Sequence, residues 1–148
     1  MNRRIGAGTY TLSMSLAVIS WSLATIYVIT TLVPNHHLTA TDLNLYVGVF
    51  GAIVGLIYFP LSIGRARDLN FSPWISNLLA LPFFAVMILP LFCFLSGPRW
   101  TNDYGDPPNP SGFLKVTLAF VLFGVAITLC YAALKMFYVT RYQLASAF

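Results

Sequence analysis

The chain has 148 residues, of which 58% are hydrophobic and 8% are charged, and its formal net charge is +4 at pH 7. A soluble domain of this length needs much more polar surface than this composition provides, so a water-soluble globular protein is excluded. The charges are also grouped. Long uncharged stretches lie between Arg4 and Asp42, Asp42 and Arg65, Asp68 and Arg99, and Lys115 and Lys135.

Each of these four stretches can hold a membrane helix. A spanning helix needs about 20 mostly apolar residues to cross a hydrocarbon core of about 30 Å. We therefore predict an all-α integral membrane protein, forming a single transmembrane domain over residues 1–148. Its four transmembrane helices are placed near residues 10–33, 45–63, 74–95 and 113–138.

The first two predicted helices each carry a face of small residues. Such faces let two helix backbones approach closely in a membrane. We expect the two faces to pack the first helix on the second. A contact of the Gly51–Gly55 face with another chain is the alternative. The residues concerned are Ser13, Ala17, Ser20 and Ala24 in the first helix, and Gly48, Gly51 and Gly55 in the second.

The third predicted helix contains Pro82 and Pro90. Proline removes a backbone donor and can kink a helix, so this segment is either a kinked span or a re-entrant hairpin. Just before it, Asn70 suits a left-handed turn between two helices, and Ser72-Pro73 is typical of a helix start.

Lysine and arginine counts predict the orientation of a four-span chain. The positive-inside rule places the side richer in these residues in the cytoplasm, and this favours cytoplasmic N- and C-termini. The richer side holds Arg3, Arg4, Arg65, Arg67, Lys135 and Arg141, and the other side holds Arg99 and Lys115.

The sequence contains no pattern typical of catalysis. His36 and His37 are adjacent in a predicted loop, without Cys or Glu to complete a metal site. There is no paired-carboxylate site, Ser-His-Asp arrangement or glycine-rich phosphate loop. No basic patch has the density expected for nucleic-acid binding. We expect no enzyme activity, no catalytic residue, no cofactor, no metal and no nucleic acid.

Two segments carry a family resemblance. Residues 64–74, Gly-Arg-Ala-Arg-Asp-Leu-Asn-Phe-Ser-Pro-Trp, resemble the pattern Arg-Arg-Leu-His-Asp-x-Gly-Arg-Ser-Gly-Trp-Trp of the domain-of-unknown-function family 805. Residues 102–107, Asn-Asp-Tyr-Gly-Asp-Pro, resemble its Asn-Arg-(Phe or Tyr)-Gly-Pro-Asp-Pro block, one residue shorter. The family comprises small bacterial inner-membrane proteins. The resemblance therefore implies a multi-pass protein of the bacterial inner membrane.

The departures from the family pattern are also specific. Gly64 replaces the first Arg, Arg67 replaces the His, and Asn70 replaces a Gly; Phe71 and Ile75 replace a later Arg and the second Trp. Any role of the family's His is therefore in doubt here. The matching positions are Arg65, Asp68, Ser72, Trp74, Asn102, Tyr104, Gly105, Asp106 and Pro107.

The first of these segments is predicted to form a charged turn at the membrane surface. Asp68 is expected to pair with an arginine or cap a turn, while Arg65 and Arg67 contact lipid phosphate and Trp74 lies in the interfacial aromatic belt. A docking or anion-binding site is the alternative. The second segment, with Asn102, Tyr104, Gly105 and Asp106, is predicted to be a rigid turn in a loop on the opposite, outer side.

These features favour a non-enzymatic membrane protein that acts by contact. We expect an accessory or assembly subunit of a larger membrane protein complex, for example a respiratory or photosynthetic one. Its partners would be other membrane subunits and a bilayer with anionic head groups. The alternative is a small homo-oligomeric channel or transporter with kinked second and third helices.

Overall fold

The computed structural model describes residues 4–146, apart from the side chains of Ala80, Pro82, Phe83 and Val86. Arg3, which entered the orientation count, lies outside this range. The described part of the chain is helical. Its only extended pairing is a single antiparallel bridge between Asn102 and Gly105.

The first helical segment runs from Ala7 to His36 without interruption, but its geometry changes along its length. Helix α1 (Ala7–Tyr27) continues into a π-helical turn (Val28–Leu32) and a short helix α2 (Val33–His36). Pro34 cannot donate a hydrogen bond to the oxygen of Thr30, and its ring would crowd that oxygen in an α-helix. A wider turn relieves this conflict, and the N–H of Val33 donates to the oxygen of Val28.

Helix α3 (Ala40–Asp68) begins with a capping box. The Asp42 carboxylate accepts hydrogen bonds from the N–H and hydroxyl of Thr39, at 3.0 and 2.7 Å, and Asp42 N–H donates to the Thr39 hydroxyl at 3.2 Å. This reciprocal pairing gives hydrogen-bond acceptors to two N–H groups at the start of the helix, where the helix itself provides none. After the helix, Asn70 adopts φ 59°, which confirms the predicted left-handed turn.

The third predicted span is broken in the structure. Residues Pro73–Ala80 form a 3₁₀ helix, Leu81 is extended, and helix α4 covers Pro82–Phe94. The residue before a proline disfavours helical geometry, which explains the break at Leu81. Helix α4 has 13 residues, so its length of about 20 Å is too short to cross the hydrocarbon core alone.

Helix α5 (Phe113–Ser146) is the longest helix, with 34 residues, and extends beyond its predicted end near residue 138. Within residues 4–146, three helical segments are long and apolar enough to cross a membrane: Ala7–His36, Ala40–Asp68 and Phe113–Ser146. The protein is therefore a helical membrane protein.

The chain divides into two compact units. Within the described range, the first unit comprises residues 4–14 and 58–123, and its core contains Tyr10, Ala66, Ile88, Phe92 and Cys93. The second unit comprises residues 15–57 and 124–146. Its core contains Val28, Ile29, Leu43 and Val47.

Candidate functional site

Three charged side chains form a buried ion cluster in the first unit: Arg4, Arg65 and Asp68. Asp68 Oδ1 accepts a hydrogen bond from Arg4 Nε at 3.1 Å, and its Oδ2 is paired with Arg65 Nη1. The exposed fraction is 4% for Arg4, 0% for Arg65 and 2% for Asp68. One carboxylate is thus shared between two guanidinium groups that are closed off from solvent.

Arg65 uses its other donors on main-chain oxygens. Its Nε donates to the oxygen of Phe92 at 2.6 Å, and its Nη2 donates to the oxygen of Leu95. Both oxygens lie at the end of α4, where helix carbonyls lack partners and carry the negative end of the dipole. Arg65 therefore caps α4 and attaches that helix to the end of α3.

Arg4 binds the segment that follows α4. Its Nη1 donates to the oxygens of Trp100 and Gly105 at 3.0 and 2.9 Å, and its Nη2 donates to the oxygen of Pro98 at 2.8 Å. Together with the hydrogen bond from Nε to Asp68, these bonds use four of the five N–H groups of the guanidinium, and Nη2 also makes an ion-pair contact with Asp68 Oδ1 at 3.1 Å. Arg4 is consequently held in place by the protein itself.

The cluster carries one positive charge in excess. Burying an ionised group is costly unless it is paired and hydrogen-bonded. The two arginines have one carboxylate between them, and the remaining compensation comes from the dipoles of the main-chain oxygens. Gly97 allows this close packing, because a Cβ atom there would lie 2.6 Å from the main-chain oxygen of Asp68.

The second segment of the resemblance lies against the first. Asn102 Nδ2 donates to the oxygen of Arg67 at 2.8 Å, and Asn102 Oδ1 accepts from the N–H of Tyr104 at 2.9 Å. The guanidinium of Arg67 lies 5.9 Å from the centre of the Tyr104 ring, within cation–π range. Gly105 has φ 110°, which a residue with a side chain rarely adopts, and Asp106 Oδ1 accepts from the Thr101 hydroxyl at 2.9 Å.

These contacts correct two predictions. Placing Arg67 and Asn102 on opposite sides of the membrane is wrong, because their hydrogen bond requires both to lie at the same place. The prediction of lipid head-group contact is wrong for Arg65, because its side chain is buried by protein, whereas the predicted pairing of Asp68 with an arginine is confirmed. Trp74 is 79% exposed, as a residue of an interfacial belt would be.

The small-residue faces also differ from the prediction. A Cβ at Gly51 would lie 3.3 Å from Trp21, whereas at Gly48 and Gly55 it would meet no described atom within 4 Å. Helices α1 and α3 instead meet through larger side chains, including Trp21, whose Nε1 donates to the oxygen of Val47 at 3.4 Å. In the predicted face of the first helix, Ala17 is buried, Ser13 and Ala24 are half-buried, and Ser20 is exposed.

Sequence reasoning missed the role of Arg4, which we had assigned only to membrane orientation. Its separation from Asp68 in the sequence gave no local pattern, whereas Arg65 and Asp68 are three residues apart, a spacing that brings helical side chains together. No family model, no curated protein and no solved structure matches the chain.

Proposed function

We propose that the protein is a non-enzymatic membrane protein that acts by contact, as an accessory or assembly subunit of a larger membrane complex. The observation that carries this proposal is the exposed small-residue face of α3. Gly48, Ala52 and Gly55 share one side of that helix, and all three are exposed.

This face has the properties of a helix-packing surface. Gly48 and Gly55 leave open space where side chains would stand, so a second helix backbone can approach closely. Exposed apolar side chains lie beside them, with Leu56 at 76% and Ile57 at 63%. Within the chain, Gly51 is the member of the predicted face that contacts another helix, through Trp21. The remainder of the face is available to a helix of a partner subunit.

The proposed topology has three crossings, with residues 69–112 at one membrane face. The short α4 and the bond between Asn102 and Arg67 support it. The positive-inside count then favours a cytoplasmic N-terminus and a C-terminus on the opposite side. One face holds Arg3, Arg4, Arg65, Arg67, Arg99 and Lys115, and the other holds Lys135 and Arg141.

We also propose membership of the domain-of-unknown-function family 805 and location in the bacterial inner membrane. The support is that residues of both resembling segments share one set of contacts. Arg65 and Asp68 form the ion pair of the cluster, Gly105 accepts from Arg4, and Asn102 binds the oxygen of Arg67. Residues that contact each other in this way are expected to occur together in related sequences.

Affinity purification in mild detergent tests the proposed function. We expect the tagged wild-type chain to retain a defined membrane protein in fixed ratio, and Gly48→Leu with Gly55→Leu to lose it while remaining folded. Val49→Leu, which adds bulk beside this face at a 49% exposed position, is the matched control and should retain the partner.

Two results would contradict the proposal. One is a wild-type chain that migrates as a monomer with no bound protein. The other is solute or ion flux in liposomes containing only this chain, since flux without a partner would favour the channel alternative.

A further inference from the structure

A cavity of about 750 Å³ opens in the first unit, next to the ion cluster. This volume lies in the range of small-ligand sites, about 300–1,000 Å³. Its wall combines cationic, hydroxyl and amide groups rather than apolar side chains alone. The polar residues that line it are Arg4, Thr9, Tyr104, Asp106, Asn109 and Lys115.

Lys115 is the group in this wall that can bind a ligand directly. Its Nζ donates to the Thr9 hydroxyl at 2.7 Å, which uses one of three N–H bonds. Lys115 also lies in the first turn of α5, where the helix dipole disfavours a cation, and no acidic residue accompanies it there. An anion next to Lys115 would remove this unfavourable interaction.

The side chains that line the cavity carry a net positive charge. Arg4 contributes charge, but four of its five N–H groups already donate hydrogen bonds within the protein. Asp106 opposes part of this charge, and one of its oxygens accepts from Thr101. In the wall of the cavity, two cations, Arg4 and Lys115, therefore outnumber one carboxylate, that of Asp106.

The start of α1 lies against the segment that leads into α5, beside this wall. A Cβ atom at Gly8 would lie 2.7 Å from the Ser111 hydroxyl oxygen, and one at Gly6 would lie 3.3 Å from Pro108. Two helix N-termini therefore approach each other, and neither carries an acidic residue in its first turn. Their dipoles add to the positive potential that the side chains create.

We infer that this cavity binds a phosphate group, with the Lys115 ammonium as its cationic contact and the hydroxyl groups of Thr9 and Tyr104 as neutral donors. The phosphate belongs to an anionic phospholipid head group or is free phosphate. Phe113 and Leu114 are 88% and 82% exposed beside Lys115, which provides apolar surface where acyl chains would lie.

Native mass spectrometry of the full chain in detergent tests this inference. The probes are phosphatidylglycerol, diacylglycerol with the same acyl chains, and inorganic phosphate. We expect the wild-type chain to retain phosphatidylglycerol at least tenfold more tightly than diacylglycerol, because a charge-assisted hydrogen bond contributes about one decade of affinity or more. Retention of inorganic phosphate with equal affinity would assign the site to free phosphate.

Variants locate the binding. Lys115→Gln should weaken the retention of the phosphate-bearing probe about tenfold, and Lys115→Arg should largely restore it. Lys135→Gln, on the same helix but in the other unit, should leave it within about twofold of wild type, since it does not line the cavity. Equal retention of diacylglycerol and phosphatidylglycerol with no phosphate binding would overturn the inference even if Lys115→Gln failed to fold. So would undiminished binding by folded Lys115→Gln.

Discussion

Asn102 donates a 2.8 Å hydrogen bond to the main-chain oxygen of Arg67 and joins two segments that lie 35 residues apart in the sequence. Arg67 lies between Arg65 and Asp68 of the ion cluster in the sequence, and Asn102 lies in the segment whose oxygens bind Arg4. The broken helical region between them therefore begins and ends at the same place in the structure. A full crossing of the membrane between Arg67 and Asn102 is incompatible with this bond.

The first prediction concerns membrane sidedness. In a chain with Cys93→Ala and Cys130→Ser, single cysteines at the exposed positions Asn70 and Asp103 should react with an impermeant maleimide from the same side. A cysteine at the exposed Ser146 should react from the opposite side, because the proposed topology places three crossings between the termini. Sealed vesicles of known orientation provide the measurement. Labelling of Asn70→Cys and Asp103→Cys from opposite sides would restore the four-span topology.

The second prediction concerns the charge of Asp68. Asp68→Asn keeps the shape of the side chain but leaves two buried guanidinium groups without a counter-charge. Breaking a buried ion pair in this way costs about 3–5 kcal/mol, so the variant should unfold at much lower temperature in detergent, or fail to accumulate. Asp103→Asn changes the same group at an exposed site and should alter stability by no more than about 0.5 kcal/mol. Equal stability of the two variants would show that Asp68 is not essential to the cluster.

The three long helices could be predicted because the bilayer imposes a simple rule on sequence. Long uncharged stretches between charged residues identified α1, α3 and α5, but the predicted ranges 45–63 and 113–138 are shorter than the observed helices Ala40–Asp68 and Phe113–Ser146. The third predicted helix met the same criterion of length and composition. A continuous span is wrong, because the chain is extended at Leu81, directly before Pro82. Pro82 and Pro90 are also the residues that left a re-entrant hairpin open as the alternative.

The pairing of Asp68 with an arginine could be predicted from the sequence and is confirmed by the Arg65–Asp68 pair, but the burial of the cluster and the contribution of Arg4 could not. Arginines near a membrane helix end are normally assigned to the surface, and the oxygens that bury Arg65 belong to residues about 30 positions away with no distinguishing side chain. The small-residue face of α3 is visible in the sequence, but the residue that packs on it could not be predicted. Trp21, a large residue, occupies the site at Gly51 that we had assigned to a small one.

The third prediction concerns Gly97. A Cβ there would lie 2.6 Å from the main-chain oxygen and 2.6 Å from Oδ2 of Asp68, so either the backbone or the ion cluster must shift. Overpacking of this kind costs about 1–3 kcal/mol, and Gly97→Ala should lower the unfolding temperature accordingly. Gly112→Ala is the matched control, since a Cβ at Gly112 meets no described atom within 4 Å. A Gly97→Ala variant as stable as Gly112→Ala would mean that Asp68 is not held in this position.

The fourth prediction concerns a hydroxyl pair in the core of the first unit. Tyr10 is fully buried, its hydroxyl lies 3.1 Å from that of Ser62, and its ring packs edge-on against Phe92. Tyr10→Phe keeps the ring contact and removes one hydrogen-bond partner, which should cost about 1 kcal/mol. In a double-mutant cycle, Ser62→Ala should add much less in the Tyr10→Phe background than in the wild type, because the unpaired hydroxyl is removed. Unfolding followed by circular dichroism in detergent measures all four proteins, and strictly additive losses would mean that the two hydroxyl groups do not interact.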